Sequence, residues 1–239
     1  MAKPTQIFLS GKIDNLIFYD FKGKPCVRKA PIKVRQSKAT KASAKLFGLA
    51  TSMSAALRQG LATILPAKAT HKNMYLLNTA LLNWLKEKRS KTTGPSNSLS
   101  ALHGLSFNRD SSIYSYLNRS ITVDWSKKDR TVVRIPALTP AKDIAAPVRT
   151  QSVIWKIAAA SCAVSNPSAA EEKAFAELVM NYDNDPVAVQ SIELPFSIGR
   201  GDLAVVVISL QYRVAKNGGT SLVTNSKWMP VDLIDAAYW

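Results

Sequence analysis

Apolar residues recur at two different spacings along this chain, and the points where the spacing changes limit the folds open to it. Residues 7 to 30 carry a β-type pattern. Ile13, Leu16, Ile17, Phe18 and Tyr19 form one run, Phe21-Lys22-Gly23-Lys24 supplies a turn, and Pro25-Cys26-Val27-Arg28 begins a return strand. A β-hairpin is expected there, ended by Pro31, which has no N–H to give to a ladder. From Ser37 the step becomes three and four residues. Leu46, Leu49, Ala50, Met53, Leu57, Leu61 and Ile64 draw one apolar stripe along a helix that Pro66 should stop. A second helix, at about 72 to 89, carries Met74, Leu77, Leu81, Trp84 and Leu85 on one side and Tyr75, Leu76 and Leu82 elsewhere. Apolar on more than one face, it should be buried in the domain or in a subunit contact.

Thr92 to Ser100 is rich in Ser, Thr, Asn, Gly and Pro and reads as a loop or linker. Beyond it the pattern is β. Residues 121–125 and 131–135 flank a polar turn, a plausible hairpin, and 153–164, 174–182 and 187–194 are further strands. The clearest strand is 203–214, where Ala204, Val206, Ile208, Leu210 and Tyr212 line one face and Ser209, Gln211 and Arg213 the other. Gly218-Gly219 turns into a last strand at about 222 to 228. The expected fold is α+β: an N-terminal β-hairpin and two helices, then an immunoglobulin-like β-sandwich. The expected division is 1–91 (basic hairpin and helices), 92–104 (linker) and 105–239 (sandwich).

Charge follows the same division. Residues 1–91 hold 18 Lys/Arg against 3 Asp/Glu, whereas 92–239 hold 14 against 13, so nearly all of the net charge of +16 lies in the first part. Such a segment repels itself until something anionic lies against it. The densest part is Lys22, Lys24, Arg28, Lys29, Lys33, Arg35, Lys38, Lys41 and Lys45, nine cations with no acid among them. Lys38, Lys41 and Lys45 keep helical spacing. Each phosphate that such cations neutralise releases condensed counterions, and Tyr19 and Phe21 adjoin the turn, where they can stack on unpaired bases. The same residues also suit an electrostatic dock for an acidic protein or neighbouring subunit, or a solvated face.

Catalytic raw material is thin. His71 and His103 have no Cys or carboxylate at metal-ligand spacing and read as surface or capping residues. Cys26 and Cys162 are expected to be reduced thiols, and Cys162 falls in an Ala-rich strand where burial raises a thiol's pKa. Asp183-Asn184-Asp185 opens like a calcium loop, but Pro186 follows, so a turn is expected. Arg200-Gly201-Asp202 matches an adhesion tripeptide, yet beside Gly199 and between two β runs it reads as a tight turn. No phosphate-loop, dinucleotide or nucleophile-elbow pattern occurs. The start shows no secretory h-region, and no run approaches the ~20 apolar residues of a membrane span.

Gly11-Lys12-Ile13-Asp14-Asn15-Leu16-Ile17-Phe18-Tyr19, with Lys22-Gly23-Lys24 and Arg28-Lys29-Ala30-Pro31, resembles the opening of a family of uncharacterised bacterial proteins. Their pattern is G-x-(I/V)-x-N, a hydrophobic residue and Y, then K-G and R-x-x-P. The usual glycine before the Asn is Asp14 here. The resemblance implies helices and a C-terminal β domain after this opening, and no activity. Together these readings lead to an expectation of a non-catalytic, cytoplasmic structural or assembly subunit, a homo-oligomer or larger assembly with no cofactor, whose basic segment docks a polyanion or an acidic protein. The other expectation is non-specific nucleic-acid binding without higher-order assembly.

Overall fold

The structure is a computed structural model that describes residues 9–31, 36–65, 71–89, 99–127, 129–216 and 218–239, with the backbone alone for 71–74. It is α+β, and it divides into two compact units, Met1–Ser43 and Ala44–Trp239.

The first unit holds three strands where two were expected. β1 (Gly11–Ile13), β2 (Leu16–Phe21) and β3 (Lys24–Lys29) form an antiparallel meander in that order. The additional turn is Asp14-Asn15, between the paired residues Ile13 and Leu16. Asp14 adopts φ +51°, at the position a type II′ turn usually gives to glycine. With no glycine to mark it, the run from Ile13 to Tyr19 reads as unbroken. The second turn, Lys22-Gly23, falls where expected, with φ +56° and +77° and Gly23 N–H donating to Asp20 Oδ1 at 2.8 Å.

Helix α1 (Lys38–Gly60) begins at the change of spacing, where the Ser37 hydroxyl accepts from Thr40 N–H at 3.1 Å as an N-cap. It crosses from the first unit into the second. The stripe from Ala50 through Met53 and Leu57 is buried, and buried Leu61 and Ile64 extend it past the helix end. The helix stops at Gly60, earlier than Pro66, which lies outside the described residues. On α2 (His71–Arg89), Leu77, Leu81, Trp84 and Leu85 are buried, but Tyr75 and Leu76 are exposed, so this chain covers one side only.

In the second unit two antiparallel sheets follow a short helix, α3 (Ile113–Tyr116). The smaller has the order β4 (Thr122–Asp124), β5 (Thr131–Ile135), β8 (Gln190–Leu194), with β4 and β5 forming the expected hairpin. The larger contains β6 (Thr150–Ala163), β7 (Lys173–Asn181), β9 (Asp202–Lys216), β10 (Gly219–Leu222) and β11 (Val231–Tyr238). Its order is β10-β9-β6-β7, with β11 also paired to β9. The expected last strand at 222–228 is replaced by the end of β10 and a 3-10 turn at Ser226–Trp228, which Asn225 caps by accepting from Lys227 N–H. The last strand is β11, whose register shifts between Leu233 and Asp235 and breaks the two-residue alternation that would mark it in the sequence.

The central strands of the larger sheet, β6 and β9, are buried on both faces over much of their length. Trp155, Ile157 and Ala159 of β6 and Ala204, Val206, Ile208, Leu210 and Tyr212 of β9 share a core with Val133, Ile135 and Leu194 of the smaller sheet. Ala158, Ala160 and Cys162, with Leu203, Val205 and Val207, pack against Met53, Leu57, Leu81 and Trp84 of the helices. The helices thus share a core with the sheets, and the unit boundary lies inside α1 rather than at 92–104. Within that expected linker Leu99 and Leu102 are buried in the helix-side core, while residues 91–98 lie outside the described residues.

Helix α1 approaches β6 closely at its end: a Cβ on Gly60 would lie 2.7 Å from Ala160 Cβ and 3.0 Å from Ala170 Cβ. Neither alanine can rotate away. Gly60→Ala should therefore lower stability by about 1–3 kcal/mol, the usual cost of overpacking. At Gly48, in the same helix, nothing lies within 4 Å of such a Cβ, and Gly48→Ala should raise stability by about 0.5–1 kcal/mol. Denaturant unfolding of both variants checks the opposite signs.

Asp232, on β11, is 0% exposed, and its Oδ2 accepts from the Ser112 hydroxyl at 2.5 Å and from Ile113 N–H at 2.7 Å. Burial outweighs these bonds and pushes the carboxyl's pKa up. The folded chain therefore holds this proton more firmly than the unfolded one. The stability it contributes is full below the ordinary carboxylate range and is lost as pH rises through the raised value. Relative to Asp232→Asn, the wild-type Tm should fall as pH rises above the ordinary carboxylate range. Thermal melts giving a constant difference would refute this.

Candidate polyanion interface

Residues opposite each other in an antiparallel pair share a face, so the register of the meander sorts its side chains into two sets. On one face Lys12, Ile17 and Arg28 form a row, followed by Tyr19 with Cys26, then Phe21 with Lys24. On the other, Ile13, Leu16 and Lys29 form a row, followed by Gly11, Phe18 and Val27, then Asp20 with Pro25. No residue of the three strands is buried. Phe21 on the first face is 58% exposed, and Ile13 and Val27 on the second are 55% and 53% exposed.

The first face interleaves cations with rings. The Arg28 guanidinium lies 5.6 Å from the Tyr19 ring centroid, and Lys22 Nζ, at the turn, 5.5 Å from that of Phe21. Both are within cation–π range. Among the described residues, none of the basic side chains of the first unit forms an ion pair with a carboxylate. Exposed rings beside unpaired cations suit a ligand with alternating flat groups and negative charges. Unstacked bases on a phosphate backbone have that chemistry, and each stacked base contributes about 1–3 kcal/mol.

Of the nine cations expected to bind a polyanion, the meander carries Lys22, Lys24, Arg28 and Lys29, and its register does not put them all on one face. Lys24 and Arg28 share the ring-bearing face, Lys22 occupies the adjoining turn, and Lys29 points to the opposite face. Lys38 and Lys41 are exposed at the start of α1, and Lys45, on the same helical step, belongs to the second unit. Lys33 and Arg35 lie outside the described residues. Lys12, which was not among the nine, joins Arg28 across β2. Counting alternate positions outward from Tyr19 would have found it, had the Asp14-Asn15 turn been recognised.

Other groups singled out in the sequence fall into structural roles. Cys162 is buried, and burial pushes its thiol up to about 12, far from a reactive thiolate. Asp183 Oδ1 accepts from Asp185 N–H at 3.1 Å, a side-chain turn. At Arg200-Gly201-Asp202, Gly201 has φ +89°, Asp202 N–H donates to the Gly199 carbonyl at 3.2 Å, and Asp202 is buried. The tripeptide is a turn whose acid faces inward. His103 Nε2 lies 3.0 Å from Asp235 Oδ1, and His71 is described by its backbone only. Among the described residues no helix is long and apolar enough to cross a membrane. No family model matches the chain, and no curated protein matches it.

Proposed function

We propose that this chain is a non-catalytic assembly subunit whose N-terminal sheet docks a polyanion, with single-stranded nucleic acid as the ligand its chemistry suits best. The reading rests on one observation: a three-stranded sheet carries aromatic rings and unpaired cations on one exposed face. Ordering a strand residue costs about 1–2 kcal/mol of backbone entropy, and a hydrogen bond returns only about 0.5–1.5 kcal/mol. Sheets of this size usually depend on a buried apolar face. No residue of this one is buried within its own chain, which favours a partner on each side.

The opposite face suits a second copy. It carries Ile13, Leu16, Phe18, Pro25 and Val27, with Lys29 in the first row and Asp20 in the last. A twofold pairing about the Phe18 row sets the row of Lys29 against the other copy's row of Asp20 and Pro25, the self-complementarity that an isologous contact needs. The family resemblance belongs to the same proposal. It is supported at Asp14, whose positive φ is the conformation for which the family's glycine is suited. A cytoplasmic setting is also part of it and rests on the free thiols of Cys26 and Cys162. For the second unit, we carry the sandwich forward as two antiparallel sheets closing on one apolar core. The helical layer on the larger sheet is foreign to the immunoglobulin-like arrangement.

The two faces separate by mutation. Lys24→Glu with Arg28→Glu should weaken binding to a single-stranded oligonucleotide by at least about 100-fold at low salt, and wild-type affinity should fall steeply as salt rises. Lys29→Glu should weaken it far less. Salt-independent binding in a fluorescence-anisotropy titration, or equal losses from both variants, would reject the nucleic-acid reading and leave the acidic-protein dock.

Self-association is tested by light scattering after nuclease treatment. The wild type should run larger than the 26.1 kDa monomer, and Ile13→Glu with Val27→Glu should return it to monomer while the oligonucleotide still binds. A wild type that is monomeric after nuclease would favour a nucleic-acid binder that does not assemble.

A further inference from the structure

A cavity of about 460 Å³ in the second unit is lined by Trp125, Lys127, Ile198, Arg200 and Trp239. We infer that it binds a small planar aromatic anion, a flat ring system carrying one phosphate or carboxylate. The volume lies within the usual range for small-molecule sites. Two indoles and an isoleucine supply apolar surface, and two cations supply the charge.

One indole is held in place beforehand, and the other is anchored through its backbone. Trp125 follows β4, and its Nε1–H donates to Asp235 Oδ2 at 3.0 Å. Asp235 comes just after the register shift in β11, which re-aims side chains along that strand. Its other oxygen is 3.0 Å from His103 Nε2, so the carboxylate that orients the indole is itself anchored. Trp239, 48% exposed, is tied by its backbone to the loop that carries Arg200. Gly201 N–H donates to the Trp239 carbonyl at 2.5 Å, and Trp239 N–H to the Asp202 carbonyl at 3.2 Å. With its N–H engaged, Trp125 offers the cavity its carbon surface, which favours stacking over polar recognition. A ring held as Trp125 is loses little freedom when a ligand enters.

The cations set the sign of the ligand. Arg200 sits in the tight turn and makes no ion pair among the described residues, and Lys127 has only a loose one, 3.9 Å from Glu193, which Arg130 holds at 3.0 Å. Among the described residues, no Asp or Glu side chain lines the cavity. A neutral sugar would leave both cations unused, and a phosphate without a ring would leave both indoles unused.

Isothermal titration calorimetry of the full chain with adenosine monophosphate, adenosine and ribose 5-phosphate tests the assignment. Adenosine monophosphate should bind with saturation, and each of the other two at least about tenfold more weakly, since a stacked ring and a charge-assisted bond each carry about that factor. Trp239→Ala should weaken the monophosphate about tenfold. Arg200→Gln should weaken it to a similar degree while leaving adenosine unchanged. Lys24→Glu with Arg28→Glu should leave it unchanged, which separates this cavity from the N-terminal sheet. Adenosine or ribose 5-phosphate binding as tightly as the monophosphate, no saturation, or a loss confined to the N-terminal variant would overturn the proposal.

Discussion

Pairing between β6 and β9 is the interaction on which the second unit depends. The two strands run antiparallel from Thr150 opposite Val214 to Ala163 opposite Asp202, and every other layer is built on that ladder. Their alternate residues feed two different cores, one shared with the smaller sheet and one with the helices. The helix side of β6 is unusually small, Ala158, Ala160 and Cys162, each opposite Val207, Val205 or Leu203. Small residues there let α1 come down until Gly60 meets Ala160. The composition of one strand therefore sets the separation of the layers.

Much of this was legible in the sequence, and the failures have particular causes. The amphipathic stripe of α1, the hairpin of β4 and β5 and the even-numbered face of β9 lie where spacing puts them. The helical cover on the larger sheet was not anticipated, although the signal was present. In β9 the odd positions are apolar at Leu203, Val205 and Val207 and polar at Ser209, Gln211 and Arg213. A strand that is apolar on both faces over half its length is buried on both over that half. The switch at Ser209 marks where the helix-side core stops. By contrast β11, whose alternation breaks midway, offers no clean period to read.

The candidate interface was legible in part. Charge density located the segment, but density does not distinguish faces. Register does, and it depended on a turn at Asp14-Asn15 that no glycine marks. One unseen turn thus hid Lys12 on the ring-bearing face. The cavity between Trp125 and Trp239 was out of reach of sequence, because its lining comes from three separated segments and its orientation from a fourth.

The register shift in β11 also makes insertions and deletions unequal there. Before it, Val231 and Leu233 face the helices; after it, Ala236 and Tyr238 do. Deleting Ile234 would give β11 an unbroken ladder and hold the later residues on their present sides, at the expense of one apolar residue on the other core. Inserting a residue after Asp235 would turn Ala236, Ala237 and Tyr238 over together. Tyr238 would then leave Trp84, whose ring it meets edge-on at 5.4 Å, and Lys88, whose Nζ stands 3.4 Å from its ring centroid. The end of this strand is thus a phase as well as a sequence, and α2 is the element that would register its loss.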